Sequence, residues 1–304
     1  MQLSNYKLAI VALIVTNIVW GASIPIFKWS LEEVPPFTFA FIRFFISALI
    51  LLPFTFHRLK ISRQDLVALF VLSFVGFFLH IGILLYGLSI SSSVNASIIA
   101  TSAPIFLLIG SAILLKEKIK SRTILGTVIS LIGVGAIILR PIFDHGLDGT
   151  ILGNILFLLS TVSFVGYTFL LKNYVTHLRA VTVTFYLFAF ATITFLPFSL
   201  MESGQQNIMA MLNAQAFLGI LFGAVFTSVI GYILYNFAIR KIKTSETGIF
   251  LYIDPFITVL IAIPLLHENI TPTFIIGALL VFIGIYVAEK RIHYHPLHLL
   301  FHEK

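Results

Sequence analysis

The sequence predicts an all-α membrane protein of ten transmembrane helices, built as two five-helix repeats of opposite orientation with both termini cytoplasmic. Three observations predict it: an apolar composition, basic residues that collect on alternate loops, and an internal repeat. Of the 304 residues 59% are hydrophobic and only 10% charged, with a mean hydropathy of +1.06. An ordinary soluble domain has about a quarter of its residues charged, so a soluble globular enzyme is excluded. At about 20 apolar residues per crossing plus a short connector, the chain holds roughly ten helices and no separate extramembrane domain. The net charge of +7 would point to nucleic acid in a soluble protein. In a membrane protein it marks cytoplasmic loops, and no nucleic-acid partner is expected. With no cysteine, disulfide and thiol chemistry are excluded.

The apolar runs place the elements in order. The first, about 6 to 27, follows Lys7 and ends at Gly21-Ala22-Ser23-Ile24-Pro25 without a small-x-small cleavage pattern, which reads as an uncleaved helix. The second and third, about 37 to 56 and 65 to 88, hold Arg43 and His80. The fourth, about 94 to 115, carries Pro104 and ends beside Glu117, and the fifth runs from about 122 to 139. The sixth to eighth lie at about 150 to 171, 181 to 200 and 215 to 239. The ninth, about 244 to 266, carries Tyr252, Asp254 and Pro255 and ends beside Glu268, and the tenth is about 273 to 289.

Loop charges test this count independently. With the N-terminus inside, sixteen of the nineteen basic residues fall on inner segments, among them Arg58, Lys60 and Arg63, the run Lys116 to Arg122, and Arg240, Lys241 and Lys243. The outer loops hold Lys28 and Arg140, and Arg43 lies within a span. This predicts a multi-pass protein of the cytoplasmic membrane, N-in and C-in.

An offset of 151 residues aligns Ser93–Ala136 with Thr244–Val287 at about ten identities. Pro104 falls on Pro255, Glu117 on Glu268, Gly126 on Gly277 and Gly133 on Gly284. Residues 1–140 then form the first unit, 141–292 the second, and 293–304 a cytoplasmic tail. Five helices is an odd number, so the second copy enters upside down, and the charges agree. Lys116, Lys118, Lys120 and Arg122 are matched by His267, Asn269, Thr271 and Thr273, whereas Ser89, Ile90 and Ser92 are matched by Arg240, Lys241 and Lys243. Inverted repeats are the architecture of secondary transporters, whose site lies between the halves near the midplane.

These residues resemble the EamA type of the drug/metabolite transporter superfamily. The matching features are Trp20-Gly21, Arg43, Ala103-Pro104 with Leu115-Lys116-Glu117, and Asp254-Pro255 with His267-Glu268, over about Leu8 to Glu289. The resemblance implies a ten-helix exporter of amino acids or other small metabolites, with a central cavity lined by the first, third, fourth, sixth, eighth and ninth helices.

Polar residues within spans are the candidate site. A mid-membrane carboxylate costs about 2.5 to 3.5 kcal/mol on insertion scales and marks function by default. Asp254 is therefore the candidate proton carrier or amine contact, against a protonated acid bonded to backbone freed by Pro255. Arg43 reads either as a snorkelling cation or as a carboxylate-binding fork, and His80 as a titrating contact or a packing residue. Asn17, Trp20 and Ile24 share one face of the first helix by their spacing. Tyr86 and Tyr235 are mirror positions, either cavity contacts or interface anchors; Tyr167, Asn236 and Tyr252 complete the substrate-binding candidates. Pro25, Pro104 and Pro255, with Glu117 and Glu268, are the candidate hinges and gates. The histidines of the tail 293–304 carry no acid or cysteine at a ligand spacing, so no metal site is expected.

The expected function is secondary transport of amino acids or similar metabolites by alternating access, with the bilayer, a small solute and a proton as partners and no cofactor. With both repeats in one chain, it can work as a monomer. A passive channel is the alternative. An intramembrane enzyme ranks lower: there is no His-Glu-x-x-His helix, Walker loop, Gly-x-Ser-x-Gly elbow or paired carboxylate within one span.

Overall fold

The apolar runs form helices because backbone polar groups have no water to bond in a bilayer and must be satisfied within the segment. A computed structural model describes residues 2–56, 61–115, 121–144, 149–174, 177–203, 213–242 and 248–289. Glu117 and the tail 293–304 lie outside the described residues. We number the helices in chain order: α1 (Gln2–Ser30), α2 (Pro36–Thr55), α3 (Arg63–Ser73), α4 (His80–Ile90), α5 (Ser93–Ala100), α6 (Ala103–Leu115), α7 (Ser121–Asp144), α8 (Gly149–Tyr174), α9 (Ala180–Ser203), α10 (Ala214–Phe222), α11 (Ile233–Ala238), α12 (Ile253–Leu266) and α13 (Pro272–Glu289). No strand occurs among the described residues.

Among the described residues, six helices are long and apolar enough to cross a membrane: 6–30, 36–55, 63–90, 150–171, 180–202 and 214–238. Four shorter apolar helices cover 93–107, 124–139, 250–266 and 272–287. Two of the long ones are continuous but not uniformly α. A π-helical stretch, Phe74–Leu79, joins α3 to α4, and another, Gly223–Tyr232, joins α10 to α11. A π turn adds a residue and rotates everything beyond it.

The fourth and ninth apolar runs depart from the continuous helices expected. The fourth breaks at Thr101-Ser102, so that α5 ends and α6 begins at Ala103. The ninth starts as a 3-10 helix, Gly248–Tyr252, and becomes α-helical only at Ile253. Pro104 and Pro255 thus stand in the first turn of α6 and of α12, where the missing N–H costs no helical bond, and do not kink a helix from within. Pro25 does lie inside α1.

Helices from the two halves of the chain interlock: α2 packs along α9, α1 along α12, α4 along α8 and α7 along α13. Two of these seams are set by glycine. A Cβ on Gly21 would lie 2.6 Å from the Asp254 carbonyl oxygen and 2.9 Å from its Cα, and Thr258 Oγ1 donates to the Gly21 carbonyl at 2.8 Å. Between α7 and α13, a Cβ on Gly133 would lie 2.6 Å from the Gly277 carbonyl, and one on Gly277 would lie 3.0 Å from that of Gly133. Gly284 meets Gly126 in the same way, and Ser130 Oγ donates to the Val281 carbonyl at 3.0 Å. Aromatic packing fills the interior, with Phe44, Phe77, Phe188 and Phe195 in mutual contact and all fully buried.

Candidate functional site

At the centre of the bundle is a cavity with about 90 Å³ accessible to the centre of a water molecule. Its walls come from both halves: Trp20, Ile24 and Phe27 of α1, Arg43 of α2, His80 and Leu84 of α4, Ala96 and Ala100 of α5, and Ala103 of α6 face Phe157, Ser160 and Phe164 of α8, Thr227 and Tyr232 of the second π segment, and Leu251 and Asp254. The lining is mostly hydrocarbon and aromatic with a few polar groups, the composition expected of a small-molecule site.

Arg43 is fully buried. Its Nε donates to Ser228 Oγ at 2.7 Å, and its guanidinium carbon lies 4.6 Å from the centre of the Phe27 ring and 4.9 Å from that of Phe44. Neither Nη atom has a hydrogen-bond partner among the described residues. It does not snorkel: the guanidinium sits inside the bundle, held between two rings by cation–π attraction. Gly223 makes room for it, since a Cβ there would lie 3.0 Å from Arg43 Cδ.

Asp254 is 7% exposed, and its Oδ1 has no hydrogen-bond partner among the described residues. Because the ninth run is α-helical only from Ile253, Asp254 occupies the first turn of α12, not the middle of a helix. The partial positive charge of that terminus favours a carboxylate. Its mirror position in the first repeat, Ala103, opens α6 and also lines the cavity. Arg43 and Asp254 thus line one cavity without bonding each other.

His80 is oriented by Ser160. Ser160 Oγ donates to the His80 carbonyl at 2.9 Å, while His80 Nδ1 lies 2.9 Å from the Ser160 carbonyl and 2.7 Å from its Oγ. This network assigns the proton to Nδ1 and leaves Nε2 an acceptor. Trp20 packs at 5.1 Å from both Tyr232 and Tyr235 and 5.8 Å from Phe164. Its Nε1 donates to the Thr227 carbonyl at 3.4 Å. Gly231 admits the indole, for a Cβ there would meet Nε1 at 2.7 Å.

Of the sequence candidates, Trp20, Arg43, His80 and Asp254 converge on the cavity, and six lie outside its lining. Asn17, one turn before Trp20 in α1, is buried and donates to the Leu13 carbonyl of its own helix. Tyr86 is exposed and stacks on Phe37. Tyr252 packs on Phe282. Tyr167, Tyr235 and Asn236 form a buried network beside the cavity: Tyr167 Oη donates to Asn236 Oδ1 at 3.1 Å, Asn236 Nδ2 donates to Thr184 Oγ1 at 2.9 Å, and Tyr235 Oη shares a bond with Thr168 Oγ1 at 3.0 Å. Glu268 lies away from the cavity, where it accepts from the backbone N–H groups of Ser93 and Val94 at 2.8 and 3.0 Å.

Sequence reasoning did not single out Thr227, Ser160, Tyr232 or the phenyl rings of Phe27, Phe157 and Phe164. Thr227 Oγ1 is buried without a partner among the described residues. Its only sequence signal is a hydroxyl in an apolar run, and there the π segment defeats 3.6-residue spacing. Among the described residues, no group of three or more His, Cys, Asp or Glu side chains is placed to hold a metal ion.

The comparisons with known proteins agree on one family. The model of the EamA-like transporter family matches twice, over residues 7–139 and 151–289. An uncharacterized transporter, YetK of Bacillus subtilis, is 29% identical over 289 residues, covering 92% of this chain and 86% of its own. An uncharacterized transporter of Archaeoglobus fulgidus is 30% identical over 286 residues, covering 94% and 99%. A crystal structure of a protein at 16% identity superposes with a TM-score of 0.66 over 96% of this chain and 99% of that one, which shows a shared fold.

Proposed function

Because the chain belongs to the EamA-like transporter family, we propose that it is a secondary carrier exporting amino acids or similar small metabolites across the cytoplasmic membrane by alternating access. The observation that carries this reading is the central cavity, whose walls are drawn from both matched copies and hold one cation and one carboxyl group that do not bond each other. Burying an ion without a partner costs several kcal/mol. A solute bearing a carboxylate and an amine meets both demands at once, with its carboxylate on the Arg43 fork and its amine at Asp254. The six long helices and the four shorter ones make ten crossings, and the loop charges support cytoplasmic termini. Asp254 is the proposed proton carrier when the site holds no amine. The chain has no nucleotide-binding loop, so transport follows a solute or proton gradient, and one chain holding both repeats suffices as a monomer.

The test is counterflow in proteoliposomes. Purified protein is reconstituted into vesicles loaded with one amino acid, and uptake of the same labelled compound is followed with and without a pH gradient. Saturable, trans-stimulated uptake is the expected result. Flux without saturation or trans-stimulation would establish a channel, and no flux of any amino acid would move the substrate to another class of metabolite.

A further inference from the structure

Two charged side chains from one helix pair converge on a single hairpin. The hairpin, residues 88–94, joins the end of α4 to the start of α5. On one side Lys28, in the last turn of α1, donates through Nζ to the Leu88 carbonyl at 3.3 Å and to the Ser91 carbonyl. On the other, the two carboxylate oxygens of Glu268 accept from Ser93 N and Val94 N. Each contact suits the helix end it touches: an ammonium on the carbonyls closing α4, a carboxylate on the free N–H groups opening α5. Ser92 Oγ takes the Asn95 N–H at 3.1 Å, so the α5 terminus is fully capped while Glu268 stays in place.

The two residues ride on a common support. α1 and α12 are locked together at Gly21, Asp254 and Thr258, and Glu268 follows α12 through His267, whose φ of 53° turns the chain. The elements on both sides of the contact run on into the cavity wall. Ile24 and Phe27 precede Lys28 by one turn and by one residue, Leu84 precedes Leu88 by one turn, and Ala96 and Ala100 follow Val94. Moving the hairpin away from the α1–α12 pair would therefore separate opposing walls of the cavity.

We propose that Lys28 and Glu268 are the latch of the outer gate: together they hold the 88–94 hairpin against the α1–α12 pair, and solute passes that face only when both let go. This rests on the carrier reading above for its purpose and on the N-in topology for the word outer. The position agrees with both: the hairpin joins the third and fourth crossings, which the loop charges put on the outer side. The outer latch is ionic, so it can be weakened by removing one charge without removing a wall.

The absence of cysteine makes the test direct. Ala100→Cys places a unique thiol on the cavity wall, and sealed vesicles of either orientation expose one face or the other to a charged, impermeant thiol reagent. In the A100C background, K28M and E268Q should each raise the labelling rate from the outer face at least tenfold. K28R should raise it less than K28M, and E33Q, an exposed acid on the α1–α2 loop, should leave it unchanged. Unchanged labelling in both latch variants, in protein that stays monodisperse and melts like the parent, overturns the latch, as does an equal rise in E33Q. A rise from the opposite face alone upholds the latch and overturns the topology. Labelling needs no substrate, so it judges the latch even if counterflow fails. Should the variants not fold, K28C/S91C bridged by a short bis-thiol reagent decides: counterflow should stop and return when the bridge is cleaved, and undiminished counterflow in the bridged protein overturns the proposal.

Discussion

Gly21→Ala probes the seam that presents Asp254 to the cavity. The added methyl would sit 2.6 Å from the Asp254 carbonyl oxygen, 2.9 Å from its Cα and 3.0 Å from Ile257 Cβ. An ordinary contact begins at about 3.4 Å, so the shortfalls are about 0.8, 0.5 and 0.4 Å. The first two involve backbone, which no rotamer can move away. α1 and α12 must separate by most of an ångström, which stretches the 2.8 Å bond from Thr258 Oγ1 to the Gly21 carbonyl to the edge of bonding range. Overpacking of this kind costs about 1–3 kcal/mol, and the weakened bond adds about 0.5–1.5 kcal/mol. Ala in a helix returns about 0.5–1 kcal/mol over Gly. The net expectation is a loss of about 0.5–4 kcal/mol, centred near 2.

Gly135→Ala is the matched control. It too lies in a helix, α7, but a Cβ there meets nothing within 4 Å, so only the propensity term of about 0.5–1 kcal/mol remains, and it is stabilising. Unfolding of both variants and the parent by denaturant in the same detergent measures the difference. If G21A unfolds with the parent, or if G135A loses as much as G21A, then the α1–α12 approach is not what requires a glycine at position 21.

Other outcomes follow from the same geometry. Asp254→Asn should leave the protein folded and inserted but weaken amino-acid counterflow and abolish the response of the remaining transport to a pH gradient; a response equal to the parent's would remove Asp254 from proton coupling. His267→Gly should stabilise the protein by roughly 1 kcal/mol by relieving the left-handed backbone at φ 53°, and a lower unfolding midpoint would show that the imidazole contributes more than its backbone costs. Glu33→Cys, on the exposed α1–α2 loop, should react with impermeant reagent in intact cells while a cysteine at position 304 does not; the reverse pattern would invert the topology.

The helices were legible because the bilayer imposes one solution on an apolar run, and segment bounds follow within a few residues. Arg43, Asp254, His80 and Trp20 were legible because an ionisable or indole-bearing residue deep in such a run needs a destination. What escaped depends on rotation about helix axes. Asn17, Trp20 and Ile24 share a face by spacing, yet the cavity begins at Trp20, and Asn17 turns its amide to Leu13. Thr227 and Tyr232 stand in a π segment whose extra residue shifts the register, so no α-helical wheel places them. The Lys28 latch escaped for a different reason: a lysine at a span end is ordinarily only a topology signal, and its carbonyl acceptors lie sixty residues away in sequence.

The two copies divide labour in a way the contacts make explicit. Under the 151-residue offset Gly126 corresponds to Gly277 and Gly133 to Gly284, and in space Gly133 meets Gly277 while Gly284 meets Gly126. Each position in one copy therefore faces the other position in its partner copy, the reciprocity that a two-fold axis requires. Backbones this close leave no side chains to interdigitate or rearrange, so the α7–α13 seam suits a fixed frame. Symmetry is broken where the cavity is. Ala103 and Asp254 open mirror helices onto the same space, but only one of them carries a carboxyl group, and Arg43 is opposed by no second arginine from α9, which has none between Ala180 and Ser203. A symmetric cavity would present one kind of group twice. Here one copy supplies the cation and the other the carboxyl group, and on the carrier reading proposed above a solute with unlike ends would take one orientation between them.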